Sequence, residues 1–284
     1  MAQEIKSLSN DRGLPDIAYV GALSEGRALF RVEHQNYSKY GYLDSTGEIV
    51  IEPKFRQAGD FSEGLARVQL SRFSFFKSAF RWGFINRSGN TRIRAEYDNA
   101  GDFSEGYAYV GVISGWLTNR KMRYGYIDKR GKLIVDLQFE HAGNFSEGLA
   151  PVRKGDKRGY INASGEFAIE PRFDYANCFR DSLAAVRVDS LFGFIDHSGE
   201  FVIEPLYPEV RDFSEGLALV KQNSQWGYID RSGEVKVPAK FREALSFLGG
   251  IAQVTDDFET YWIDKDGEKV SPSKEQMRNR SARQ

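Results

Sequence analysis

The chain is poor in the residues on which most chemistry depends. Its 284 residues include one cysteine and three histidines. The lone thiol, Cys178, excludes an intramolecular disulfide, and no CxxC or Cys-His spacing points to zinc. His34, His141 and His197 stand at unmatched places, so no Cys-His catalytic pair is indicated. There is no GxxxxGK[ST] phosphate loop and no serine in a nucleophile elbow. A formal net charge of −1 argues against a general nucleic-acid binder. No run approaches the roughly 18 apolar residues of a membrane helix, and the opening MAQEIKSLSNDRG has no apolar core of leader length. The expected location is cytoplasmic. Apolar runs are also too short for an amphipathic helix of useful length.

Aromatic residues are abundant instead, 14% of the chain with 21 Phe and 14 Tyr, which favours β-structure. They recur in order. FSEG begins at Phe61, Phe103, Phe145 and Phe213, with weaker forms at Leu23 (LSEG), Phe179 (FRDS) and Phe247 (FLGG). A second block, aromatic-Gly-aromatic-Ile-Asp, begins at Tyr40, Trp82, Tyr124, Arg158, Phe192, Trp226 and Thr260. Its spacings are 42, 42, 34, 34, 34 and 34 residues, which makes a 34-residue unit with two insertions. Tandem repetition at such a period means that each unit buries its apolar faces against its neighbours. Three residues past each Asp or Asn stands a glycine: Gly47, Gly89, Gly131, Gly165, Gly199, Gly233 and Gly267. That pattern predicts a type I turn closed by a left-handed glycine.

Each unit therefore reads as three strands. Strand A follows FSEG (LALV, 217–220), strand B is the aromatic-Gly block (WGYID, 226–230), and strand C ends on proline. Pro53, Pro171, Pro205 and Pro238 are expected to end the pairing, since proline donates nothing to a ladder. In strand B, Trp226 and Tyr228 face one way and Ile229 the other, so both faces of the sheet are apolar and must be covered. The expected fold is all-β: seven three-stranded antiparallel units stacked face to face, as an open superhelical array or, alternatively, a closed propeller-like ring. Residues 1–14 form a lead, 15–272 the array, and 273–284 a polar basic tail.

The string WGYID-x-SGE-x-x-x-P followed by FSEGLA resembles the WG-repeat family of β-repeats, over about Pro15 to Pro272. The resemblance implies a bacterial interaction or scaffold protein and supplies no catalytic motif. The chain departs from the pattern at Arg158, in place of the aromatic, and at Thr260-Tyr261.

The repeating carboxylates Glu25, Glu63, Glu105, Glu147 and Glu215 read as turn or rim residues. A glycosidase pair needs two carboxyls in one pocket, whereas these recur once per unit. The D-x-x-G turns place glycine too early for an EF-hand type calcium loop. No enzyme and no cofactor follow.

Function is expected where copies disagree. Between strands A and B of repeat 2, residues 69–81 carry Arg72, Phe73, Phe75, Phe76, Lys77, Phe80 and Arg81 and no acid. In repeat 3, residues 111–123 carry Trp116, Arg120, Lys121 and Arg123. Repeat 4 adds Arg153, Lys154, Lys157 and Arg158, and repeat 7 sets Asp256, Asp257 and Glu259 at the matching place. Insertions on one face of an array often mark its binding face, and aromatics with arginine suit interface anchors. The insertions read either as padding that extends the hairpins, their aromatics covering each other, or as a partner-binding edge; on the second reading the expectation is a non-catalytic scaffold with an unidentified protein partner at these loops. A carbohydrate or other ligand module stacking on Trp116 and Phe is the alternative; nucleic acid ranks below both, and no membrane partner is expected.

Overall fold

A computed structural model describes residues 17–34, 37–74, 77–115, 120–273 and 276–277, with the side chains of 34 and 72–79 outside that description. No helix among the described residues is long and apolar enough to cross a membrane. The chain divides into two compact units, Met1–Asn144 and Phe145–Gln284. Both are tandem arrays of small antiparallel sheets, none closed into a barrel.

Repeat 6 shows the plan. Strand A, Leu217–Gln222, pairs with strand B, Gln225–Asp230, and strand B pairs with strand C, Val235–Phe241. Two tight turns frame strand A and strand B. SEG is a two-residue hairpin closed by reciprocal Ser214–Leu217 backbone bonds, with Glu215 and Gly216 both at positive φ. That is the type I′ geometry that matches strand twist. The D-x-x-G turn is closed by Gly233 N–H donating to Asp230 O at 3.0 Å, with Gly233 at φ 86. The Asp230 carboxylate accepts N–H bonds from Ser232 and Glu234 at 2.9 and 3.0 Å.

The prolines do not end the pairing. Strand C runs through them, to Phe55, Phe173, Tyr207 and Phe241. Registers explain how. Tyr40 faces Phe55 and Tyr42 faces Ile51, so Gly41 alone stands against Glu52, Pro53 and Lys54. Repeats 4, 5 and 6 repeat this one-against-three bulge at Gly159, Gly193 and Gly227. Proline sits where the ladder asks for no N–H. The bulge presses strand C onto strand B, and a Cβ on Gly227 would lie 2.6 Å from Ala239 N and 2.7 Å from Val237 O. The glycine of the aromatic-Gly pair is there for close approach of backbone. Repeat 7 supplies the converse. Its glycine position holds Tyr261, and its strand C is only Lys269–Val270, with no bulge.

The connectors add a fourth strand to the three expected. Asn99–Ala100, Tyr175–Ala176 and Glu243–Ala244 each pair with strand A of the following repeat. Ala58↔Val68 and Val210↔Val220 are single bridges at the same place.

Both sheet faces are buried, as their apolar pattern requires. In the second unit, Leu219, Trp226, Tyr228, Val237 and Phe241 pack against Phe247, Ala252, Val254 and Ile263 of repeat 7. Ala218, Val220 and Ile229 pack the other way, on Phe194, Ile203 and Phe213. In the first unit, Tyr42, Ile51, Phe55 and Phe61 meet Ala66, Val68 and Ile85. The strand B ring meets the FSEG phenylalanine of the next repeat edge-on or tilted each time: Tyr42–Phe61 at 4.9 Å, Phe84–Phe103 at 4.9 Å, Tyr160–Phe179 at 5.0 Å, Phe194–Phe213 at 4.8 Å and Tyr228–Phe247 at 4.9 Å. Where that ring is tyrosine, its buried hydroxyl donates to a connector carbonyl 17 residues on, as Tyr42 to Gly59 at 2.7 Å and Tyr228 to Leu245 at 2.8 Å.

Candidate functional site

The repeating carboxylates hold successive repeats together. Glu25 accepts the Gly64 N–H at 2.8 Å, Glu63 that of Gly106 at 2.9 Å, and Glu215 those of Gly249 and Gly250 at 2.6 and 2.9 Å. The residue after the turn Asp or Asn reaches the same acid: the Arg87 and Lys129 cations pair with Glu25 and Glu63 at 2.8 and 2.9 Å, and the His197 Nε2 lies 3.3 Å from the Glu147 carboxylate. His197 also stacks on Phe179, with ring centroids 4.2 Å apart. Burial raises the Glu63 carboxyl, but the Lys129 and Gly106 hydrogen bonds outweigh it and hold the group below its ordinary range. Glutamate is an uncommon residue at positive φ, and its reach to the next turn is what the strained position provides. The serine of SEG does the same with its hydroxyl, donating to the next phenylalanine carbonyl at 2.7 Å from Ser62 and 2.8 Å from Ser214.

The connector acids form a second network. Arg67 pairs with Asp102 at 2.7 Å, donates to Ala100 O at 3.0 Å and lies 5.1 Å over the Trp82 ring. Burial first, then the charge of Asp102, pushes the Asp60 carboxyl up. In the second unit Asn177 donates to Asp212 at 2.7 Å, and burial raises the Asp212 carboxyl. Cys178 lies half-buried in that same connector. Among the described residues no group of three or more metal-ligating side chains forms.

The insertions extend the A–B hairpins. Repeat 2 pairs Leu65–Ser74 with Lys77–Asn86 in unbroken register out to Ser74↔Lys77. Repeat 3 pairs Tyr107–Ser114 with Lys121–Asp128. Phe75, Phe76 and Trp116 lie outside the described residues, and Arg72, Phe73 and Lys77 are placed on the hairpin without their side chains. The others divide. Arg120 and Lys121 are exposed. Arg81 forms an ion pair with Asp98, and Arg123 pairs with Glu140 at 2.6 Å. Lys157 of repeat 4 pairs with Asp174 at 2.6 Å. These hairpins are therefore less basic than a loop-by-loop charge count implies, because the connector beyond each strand C supplies an acid. The acids of repeat 7 are likewise offset, with Asp257 on Arg242 at 2.6 Å and Glu259 on Lys269. Arg158, the departure in repeat 4, stacks its guanidinium 4.5 Å over the Tyr175 ring in place of the missing aromatic.

Phe80 is where the edge opens. It is 37% exposed, and Arg56 of the preceding connector lies 4.5 Å over its ring. Together with Tyr37, Lys39, Tyr40 and Lys54 these residues line a groove of about 670 Å³. Lys39, Tyr40, Lys54 and Arg56 are all in repeat 1, which the sequence had not singled out. Lys39, Lys54 and Arg56 have no carboxylate partner among the described residues, and no acid lines the groove.

The WG-containing repeat family model matches residues 40–71, 82–112, 124–157, 159–191, 192–226 and 226–257. The chain belongs to the WG-repeat family. Each family match runs from strand B through strand C into the next strand A, so it takes in parts of two successive repeats. The seventh copy, outside the six matches from its strand B on, holds Thr260-Tyr261 in place of the aromatic-Gly pair. No curated protein matches the chain. Among solved structures it is similar to a eukaryotic initiation factor, at 14% identity over 87% of this chain and 73% of that one, TM-score 0.59. It is also similar to prolyl oligopeptidase B from Galerina marginata, at 10% identity over 96% of this chain and 52% of that one, TM-score 0.50. Identities this low describe the fold of the WG-repeat array and nothing of its activity.

Proposed function

We propose that this WG-repeat chain is a non-catalytic interaction module that engages a protein partner along the edge carrying its A–B hairpins. The supporting observation is the contrast between conserved architecture and local departure within one chain. Repeat-to-repeat contacts occupy the turn carboxylates and sheet faces, whereas repeats 2 and 3 each lengthen their A–B hairpin by eight residues (42 less 34) beyond the 34-residue unit. The exposed Phe80 with its stacked Arg56 is the kind of aromatic–arginine pairing found at interface anchors.

Deleting residues 72–79 and 114–121 returns both hairpins to the length of repeats 4 to 6, which fold with short turns. The trimmed chain is expected to melt like the parent and to lose the protein that the parent captures from a lysate, read by mass spectrometry. Capture that survives trimming removes the hairpins from the site.

A further inference from the structure

Repeats 2, 3 and 4 share an ion pair that repeat 1 inverts. In each of the three, a cation immediately before the strand B aromatic position meets an acid 17 residues later: Arg81 with Asp98, Arg123 with Glu140, Lys157 with Asp174. Two of these acids also accept a backbone N–H from the strand A side, Ile113 to Asp98 at 2.9 Å and Asp189 to Asp174 at 2.7 Å. In repeat 1 the same two positions hold Lys39 and Arg56. The fold thus brings two cations to a place where its own pattern puts a cation against a carboxylate. Lys54 adds a third charge to the same groove, and Tyr37, Tyr40 and Phe80 wall it.

We infer that this groove of repeat 1 is a recognition site for a carboxylate-bearing segment, an acidic peptide of a protein partner. The inference rests on the interaction reading above and names the partner's chemistry. A carboxylate from outside takes the place that Asp98, Glu140 and Asp174 fill from inside. Charge-assisted hydrogen bonds from guanidinium and ammonium are the strong class of such contacts. Arg56 lies 4.5 Å over the Phe80 ring, a cation–π contact that holds its guanidinium at the groove. A groove of about 670 Å³ lies in the range of small-ligand sites and accommodates a few side chains rather than a folded surface. Its aromatic walls favour a segment in which acids alternate with apolar or aromatic residues.

The test is fluorescence anisotropy with the full chain and three probes: a labelled dodecapeptide of alternating Glu and Tyr, the same peptide with Gln for Glu, and a labelled thymidine dodecanucleotide. The Glu peptide is expected to bind at least tenfold more tightly than either of the others. Arg56→Asp writes into repeat 1 the pair already present in repeats 2 to 4. It is expected to keep or raise the melting temperature while weakening the Glu peptide at least tenfold. Lys39→Gln is expected to weaken it in the same direction. Equal binding of the Gln peptide, or undiminished binding by Arg56→Asp, overturns the site, and tighter binding of the oligonucleotide overturns it in favour of nucleic acid. The two readings fail separately. Peptide binding untouched by Arg56→Asp, with capture abolished by hairpin trimming, removes the carboxylate site alone. Peptide binding abolished by Arg56→Asp, with capture surviving trimming, removes the hairpins alone.

Discussion

Replacing Gly227 with alanine tests whether the aromatic-Gly pair exists to admit the strand C bulge. The new Cβ would sit 2.6 Å from Ala239 N, 2.7 Å from Val237 O and 2.8 Å from Ala239 Cα. All three are backbone atoms of a strand packed on a buried core, so no side chain can swing away. Ordinary contact begins near 3.4 Å, so the strands must part by about 0.8 Å or the bulge must unpair. Overpacking of this kind costs about 1–3 kcal/mol, and backbone contacts place Gly227→Ala at the upper end. About 3 kcal/mol corresponds to a fall of ~6–12 °C in a unit of this size. Gly216→Ala is the control. Gly216 has φ 86 and no atom within 4 Å of the added Cβ, so it carries only the left-handed penalty of about 1–2 kcal/mol. Thermal and urea unfolding followed by circular dichroism rank the two variants. An unchanged midpoint for Gly227→Ala, or a larger loss for Gly216→Ala, refutes the reasoning.

Three further outcomes are expected. Trp226→Ala removes a ring that is 6% exposed and empties the contact with repeat 7, for a loss of about 3–5 kcal/mol; an unaltered melting temperature would place the ring outside the core. Ser214→Ala breaks the hydroxyl bond to Phe247 O, a loss of about 1 kcal/mol by urea titration, and equal stability would show that this link between repeats is idle. The Asp230 carboxyl is held down to about 2, first by the Ser232 hydroxyl and then by the turn N–H groups. A depressed carboxyl stabilises the fold above its unfolded value, near 3.8, and the contribution is lost as pH falls towards 2. Asp212, raised by burial, works with the opposite sign and so does not produce this acid limb. Asp230→Asn, the residue found at Asn86 and Asn162 of the same turn, is expected to melt below the parent at pH 7 and to converge with it as pH falls from 4 to 2; an acid limb of unchanged slope contradicts the assignment.

Periodicity made most of the architecture legible. The 34-residue unit, its two turns, its alternating strand B and its two apolar faces all follow from residue order, and the structure places them as read. What escaped the sequence was any feature set by two segments meeting. The bulge was hidden because proline alone signals an end, and only the register of Gly41 against Glu52, Pro53 and Lys54 shows the strand continuing. The fourth strand was hidden because two residues carry no period. The site was affected in the same way. Counting charge within each A–B loop made repeats 2 to 4 basic, while Asp98, Glu140 and Asp174 lie 17 residues downstream of the cations they neutralise. The signal was nevertheless present, since aligning the copies at that offset sets Arg56 against three acids. Sequence comparison between loops missed it because the pair joins a hairpin to a connector.

In this protein the repeats build the fold, and we propose that their departures bind. Hydrogen–deuterium exchange of the full chain, alone and with the protein it captures, tests this division most directly. Protection is predicted in the peptides that cover residues 37–40, 54–57 and 77–81, with the SEG turns at 62–65 and 214–217 unchanged. Protection confined to the SEG turns, with the hairpin and groove peptides exchanging as in the free chain, would contradict it.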